Sequence, residues 1–318
     1  MILDLVYVAI GLGLLVVCGD MLVKGAVSLS LRLGIPALIV SMTIVAFGTS
    51  APELLVAIQA ALDGAPDIAM GNIVGSNIAN ILLVLGLPAA IARISMKDCD
   101  SKADFLTMLG ATVLFIALSL DGNVSRIDGM IMLVLLAVSL WMSFQKARKA
   151  RAADAADDED ELEEGDPSLP MSRILFLIIV GIIGLPIGAQ LLITGAQSIA
   201  LSFGISEAVI GLTLVAFGTS LPELATTVSA AIRGQAAVAL GNVIGSNFFN
   251  LMLIMGLTSV ITPVGVGEEF LSRDLWIMLA AALAMIPFVW HWVRLGRRSG
   301  VVLSALYCAY VALLLVVK

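Results

Sequence analysis

The sequence predicts an all-α integral membrane protein of ten transmembrane helices, arranged as two inverted five-helix repeats with discontinuous ion-binding helices. Three observations carry this prediction. Of the 318 residues, 60% are hydrophobic and 13% charged, whereas a soluble domain has about 25% charged residues. Ten apolar runs are long enough to cross a ~30 Å hydrocarbon core, which takes roughly 20 residues. Two pairs of sequence elements recur at a constant offset of 170 residues, as from Glu53 to Glu223.

The expected spans are residues 3–29, 36–62, 67–92, 103–120 and 127–145, then 173–201, 206–232, 237–261, 272–293 and 299–317. The first has no basic leader and shares the repeat through Gly25, so it reads as a retained helix and not a cleaved signal. Spans two and seven hold the first pair of elements, Thr43-Ile-Val-Ala-Phe-Gly-Thr-Ser-Ala-Pro-Glu53 and Thr213-Leu-Val-Ala-Phe-Gly-Thr-Ser-Leu-Pro-Glu223. Spans three and eight hold the second, Gly71-Asn-Ile-Val-Gly-Ser-Asn-Ile-Ala-Asn80 and Gly241-Asn-Val-Ile-Gly-Ser-Asn-Phe-Phe-Asn250. Gly25 with Gly195, Gly34 with Gly204 and Gly86 with Gly256 keep the offset. A gapless spacing over this distance points to duplication of a whole unit. The expected organisation is a first repeat over 1–150, an acidic linker over 151–172 and a second repeat over 173–318. Five spans is an odd number, so the second repeat enters the membrane reversed.

The net charge of -7 belongs to the linker, because residues 154–166 hold nine acids and the rest of the chain has 17 basic against 15 acidic residues. That stretch has too little apolar content to fold alone and reads as a solvated connector. Its spacing is not that of an EF-hand loop. Lys146, Arg148, Lys149 and Arg151 follow the fifth span and place the linker in the cytoplasm, which puts the amino terminus outside. Thirteen Lys and Arg residues then face inward and three outward. Cys18, Cys99 and Cys308 are too scattered for a disulfide framework or a thiolate metal site. The single histidine, His291, ends the ninth span and reads as interfacial.

A carboxylate at mid-bilayer costs at least ~2.5 to 3.5 kcal/mol, so Glu53 and Glu223 call for a function. Ala46, Thr49, Ser50 and Glu53 fall at helical spacings that line one face, and Ala216, Thr219, Ser220 and Glu223 repeat it. Pro52 and Pro222 lack an N–H and free the backbone oxygens around Gly48 and Gly218. Ser76 and Asn80, and likewise Ser246 and Asn250, are four apart on a common face beside the glutamates. Gly71, Gly75, Gly241 and Gly245 read as close-packing surfaces. The one basic candidate for pairing with a glutamate is Lys24, and Asp20, four residues earlier, is its better mate.

The donor inventory is all oxygen, which suits hard cations such as Ca²⁺ and Na⁺ and not Zn²⁺ or Cu⁺. Two bidentate carboxylates and a backbone oxygen from each half reach the 6 to 8 oxygens that Ca²⁺ takes; Mg²⁺ fits less well. With no motif base nearby, the empty pair favours binding Na⁺ or taking up protons when Ca²⁺ leaves, and exchange follows from that charge rule. No cofactor is called for beyond the transported ions. Partners are inorganic cations and the bilayer, with no nucleic acid and no enzymatic step; one chain suffices for transport.

The paired Gly-Thr-Ser-x-Pro-Glu and Gly-Asn-x-x-Gly-Ser-Asn elements, in inverted halves around an acidic loop, closely resemble the α-repeats of the sodium/calcium exchanger family within the calcium/cation antiporter superfamily. The resemblance covers essentially the whole chain. It implies that spans two, three, seven and eight form the ion-binding core while one and six slide across it. It implies a Ca²⁺ site of Glu53 and Glu223 with the carbonyls of Thr49 and Thr219. Flanking Na⁺ sites would use Ser50, Ser76, Ser220 and Ser246 with the carbonyls of Ala46 and Ala216, and Asn80 and Asn250 would form the central polar pair. Members of the family commonly carry an Asp at one of these last two positions, and two asparagines bring proton-coupled exchange into contention. The expectation is a Ca²⁺/Na⁺ antiporter of a bacterial-type inner membrane working by alternating access, with Ca²⁺/H⁺ exchange as the alternative. A cation channel is disfavoured because channels usually ring their filters with subunits around the membrane normal. A non-transporting scaffold would keep its Ca²⁺ binding unchanged without the two glutamates.

Overall fold

Long apolar runs become helices because, in hydrocarbon, every backbone N–H and C=O must be bonded within its own segment. The computed structural model describes residues 2–95, 99, 101–154, 169–203 and 218–316. The first half contains α1 (Ile2–Leu33), α2 (Ala37–Thr49), α3 (Ala51–Leu62), α4 (Pro66–Ile91), α5 (Lys102–Ser119) and α6 (Arg126–Asp154). The second contains α7 (Met171–Ser202), α8 (Leu221–Ile232), α9 (Ala236–Ile261), α10 (Phe270–Val289) and α11 (Arg297–Val316). Eight of these are long and apolar enough to cross a membrane, and α2 with α3 forms a ninth span bent by 45°. Helix α8 and residues 218–220 before it are the described part of the expected span 206–232; residues 204–217 lie outside the described residues, and with them the Ala216 carbonyl expected as a ligand. Most of the linker, residues 155–168, also lies outside them.

Two departures from the expected pattern are small. Helix α6 continues to Asp154 instead of ending near 145, as the Ala, Lys and Arg of that stretch are good helix formers. A two-residue antiparallel pairing of β1 (Asn123–Val124) with β2 (Val264–Gly265) interrupts the all-α plan. This pairing puts the α5–α6 and α9–α10 loops at the same end of the molecule, as the parity of a ten-span topology requires.

The halves match in detail. Gly64 and Gly234, 170 apart, adopt φ of 72° and 70°, a left-handed turn that glycine enters without a Cβ penalty, and they close the α3–α4 and α8–α9 hairpins. Helices α4 and α9 form the buried centre, with 78% of each apolar window inside. Both contain a widened π-helical stretch beginning at the equivalent asparagine, Asn80–Val84 and Asn250–Met255. Such stretches concentrate at functional positions.

Helices α1 and α7 pack antiparallel along their length. Gly11 abuts the backbone of Gly188 and Leu192, Gly181 abuts Cys18 and Leu22, and Gly195 abuts Asp4, so the two backbones approach as small-residue seams allow. The last helix of each half lies on the other half's counterpart of a common groove. Gly300 of α11 meets Gly86 and Ala89 of α4, and Gly129 of α6 meets Gly256 and Ser259 of α9. The outer faces are apolar, with Val16, Leu106, Val134, Phe176 and Val302 all at least half exposed, as a surface solvated by lipid tails demands.

Lys24 pairs with Asp20 at 3.1 Å, and Asp20 also binds Arg233, so the buried glutamates are not partners of Lys24. Cys18 is a buried and Cys308 an exposed free thiol. His291 is exposed in the turn after α10, at a φ of 61°.

Candidate ion site

The site begins at two matched helix breaks. Pro52 and Pro222 lie in the first turn of α3 and α8, and each removes the N–H that would have bonded the carbonyl four residues back. Ser50 and Ser220 turn the chain there with almost identical angles, φ -86° and ψ 5° against φ -86° and ψ 4°. Each break starts a new helix, and Glu53 and Glu223 fall in its first turn, where unpaired N–H groups and the helix dipole favour negative charge. The break therefore both creates polar backbone inside the membrane and makes a carboxylate tolerable beside it.

Helix α3 packs on the second part of α9, and α8 on the second part of α4, so each half delivers its glutamate to the other. Glu53 is 0% and Glu223 1% exposed, and the two carboxyl groups are close enough to interact electrostatically. Glu223 accepts a hydrogen bond from Ser50 at 3.1 Å. The Ser76 and Ser220 hydroxyls, again from opposite halves, are 3.3 Å apart. Thr49, Ser50, Ser76, Asn80, Ser220, Ser246 and Asn250 are all buried, and Thr219 lies at the second break. The Ala46 carbonyl accepts the Ser50 N–H at 3.0 Å and the Thr49 hydroxyl at 3.3 Å.

Five residues that the spacing argument did not single out complete the cluster. Asn72 donates to the Glu53 carbonyl at 3.1 Å, and its equivalent Asn242 to the Glu223 carbonyl at 3.2 Å. Asn242 also donates to Thr227 at 3.0 Å and accepts from Thr49 at 3.3 Å. Asn77 and Asn247 form a crossed pair with the expected asparagines: Asn80 donates to Asn247 Oδ1 at 3.0 Å and Asn250 to Asn77 Oδ1 at 3.1 Å. The constant offset was available for all four asparagines, and the three-residue step from Asn77 to Asn80 is a same-face spacing as valid as the four-residue step from Ser76.

Burying this much polar surface requires partners, and several atoms have none. Eight buried side-chain polar atoms make no hydrogen bond among the described residues; six belong to this cluster, namely both oxygens of Glu53, Glu223 Oε2, Asn80 Oδ1, Asn250 Oδ1 and Ser246 Oγ. All six are oxygens, and five are pure acceptors. Acceptors without protein donors, desolvated and gathered around two acids, suit a bound cation. Among the described residues no group of three or more His, Cys, Asp or Glu side chains is placed to hold a metal ion; the described acids of the cluster are the two glutamates, complemented by neutral oxygens.

A polytopic bundle of two inverted repeats that converge on buried carboxylates defines a secondary cation transporter. The family model described as sodium/calcium exchanger protein matches residues 3–145 and 173–316, one segment in each half. The chain belongs to the sodium/calcium exchanger family. It is 36% identical over 321 residues to the inner membrane protein YrbG of Escherichia coli, covering 99% of this chain and 97% of that one. It is 31% identical over 337 residues to the sodium/calcium exchanger MaX1 of Methanosarcina acetivorans, covering 96% of each. A solved structure of the sodium-calcium exchanger NCX_Mj soaked with Na⁺ and Sr²⁺ superposes with a TM-score of 0.83 at 34% identity, covering 98% of each chain.

Proposed function

We propose that this chain exchanges Ca²⁺ for Na⁺ across the membrane by alternating access, with one dehydrated Ca²⁺ held between Glu53 and Glu223. The observation that carries this reading is that both Glu53 oxygens and Glu223 Oε2 are buried without donors, beside neutral oxygens of Asn80, Asn250 and Ser246 in the same state, an all-oxygen set of the kind that Ca²⁺ takes. In this reading the Thr49 and Thr219 carbonyls complete the Ca²⁺ shell. Ser50, Ser76, Ser220 and Ser246 serve the flanking Na⁺ positions with the carbonyls of Ala46 and Ala216, and Asn80 and Asn250 face the centre. The repeats are 1–150 and 173–318, joined by the acidic linker at 151–172. Basic residues after the fifth span orient the protein with the linker in the cytoplasm and the amino terminus outside, in a bacterial-type inner membrane. A single chain holds a complete site and binds inorganic cations directly, with neither cofactor nor covalent chemistry.

Coupling follows from charge. Two carboxylates facing each other in a low-dielectric cavity repel strongly, so the empty site resists the rocking transition, whereas a site neutralised by one Ca²⁺ or by Na⁺ ions does not. Reconstituted vesicles provide the test: an outward Na⁺ gradient should drive ⁴⁵Ca²⁺ uptake, and a pH gradient imposed alone should not. Uptake driven by the pH gradient and indifferent to Na⁺ would assign H⁺ as the counter-ion. Sustained Ca²⁺ flux without any opposing ion would establish a channel.

A further inference from the structure

Asn80 and Asn250 can serve a cation only through their carbonyl oxygens; turned over, each would present two N–H groups and repel it. We infer that Asn77 and Asn247 are positioning residues that lock the central asparagines with their carbonyls inward, each acting across the repeat interface on the asparagine of the opposite half. This rests on the reading of Asn80 and Asn250 as ligands.

The lock is defined by a closed set of hydrogen bonds. Asn247 Nδ2 donates to the Asn77 backbone carbonyl at 3.3 Å. Asn77 Nδ2 donates to the Asn247 backbone carbonyl at 3.4 Å and faces the Met278 sulfur at 3.7 Å. With their amide nitrogens so engaged, Asn77 and Asn247 have only their Oδ1 atoms to offer Asn250 and Asn80. An acceptor demands a donor, so Asn80 and Asn250 must present Nδ2 to the lock. Their Oδ1 atoms are left buried and without a partner. Rotating either locking amide would set oxygen against a backbone carbonyl and nitrogen against nitrogen, two repulsive contacts for one change. All four residues are nearly or fully buried, at 0 to 2% exposure, so water is not at hand to relieve such a mismatch.

Outer partners that orient a metal ligand typically change affinity 10- to 100-fold when removed. Ca²⁺ binding to the purified full-length protein, followed by titration calorimetry, therefore reads the lock without depending on the counter-ion. Asn247→Ala and Asn80→Ala should each weaken binding about tenfold, and the double variant also about tenfold, because removing the lock matters only while its ligand is present. Asn77→Ala should show the same dependence on Asn250→Ala. The crossed combinations, Asn247→Ala with Asn250→Ala and Asn77→Ala with Asn80→Ala, should lose clearly more than either single variant, approaching about a hundredfold, because each removes a lock and a ligand that belong to different pairs. A general loss of packing would not produce this pair-specific pattern, and thermal unfolding of each variant separates the two effects. Multiplicative loss in the Asn247/Asn80 and Asn77/Asn250 pairs, or unchanged affinity in the locking variants, overturns the inference. If an alanine variant is not recovered folded, Asn247→Ser and Asn77→Ser carry the same cycles. Absence of Ca²⁺ binding by the unaltered protein would instead overturn the ion-site reading, and the lock with it.

Discussion

Glu53→Gln and Glu223→Gln should each abolish Na⁺-driven Ca²⁺ uptake in vesicles while the protein still inserts and folds. In the proposed site a dehydrated divalent ion would lose half of its counter-charge in either variant. Breaking a buried, paired charge interaction is worth ~3 to 5 kcal/mol, and ~3 kcal/mol already corresponds to roughly a hundredfold in affinity. Folding should survive because a neutral amide is easier to bury than a carboxylate, and Gln keeps both the length and the volume of Glu. Glu223→Gln should be the less disturbing to structure of the two, since Ser50 can still donate to the remaining amide oxygen. Radiolabelled uptake at saturating Na⁺ gradient checks both; retention of activity within tenfold in either variant would remove that glutamate from the ion path.

Gly245→Val should have the largest effect on assembly. A Cβ at Gly245 would lie 2.5 Å from the Met42 carbonyl oxygen and 2.7 Å from Ala46 Cβ, and one turn earlier Gly241 abuts the Leu38 carbonyl equally closely. The obstacles are α2 backbone atoms and the rigid Ala46 Cβ, held in place by the Ser41 hydroxyl bonding the Val238 carbonyl at 2.7 Å, so they cannot yield as a flexible side chain would. The penalty should exceed the ~1 to 3 kcal/mol usual for overpacking, and it would push α2, with the Thr49–Ser50 break, away from the site. Loss of folded protein in fluorescence-detected size-exclusion chromatography is the expected result. Gly13→Val is the control, a glycine on an exposed helix surface with nothing within 4 Å of its Cβ position among the described residues, and it should behave as the unaltered protein does.

Much of this architecture was legible in the sequence because the bilayer leaves few choices. A run such as 103–120 must be a helix, and its ends at Lys102 and Ser119 differ from the expected ones by a single residue. The burial of the glutamates was legible for the same reason, since each sits inside a run of that hydropathy and the one basic candidate to pair with them, Lys24, binds Asp20. What the spacing argument did not reach depends on contacts between segments far apart in sequence. Asn77 and Asn247 look like any polar residue next to a serine until the two halves meet and each turns out to complete the other's hydrogen bonds. Thr227, bound to Asn242, has Ala57 as its equivalent, so the offset that revealed the other residues conceals this one. The Asn123–Val124 pairing with Val264–Gly265 was equally beyond reach, because two residues carry no periodicity.

The glycine crossings of α11 on α4 and α6 on α9 bear on the order in which the chain can mature at the ribosome. When α4 has been threaded into the bilayer, the groove at Gly86 that will receive Gly300 is still open to lipid, and α6 waits in the same way for Gly256. Neither half can finish its interior from its own helices. The newborn first half must therefore persist as a loosely packed intermediate until α11 arrives, and two fragments divided within the acidic linker should find each other in the membrane and close as one molecule.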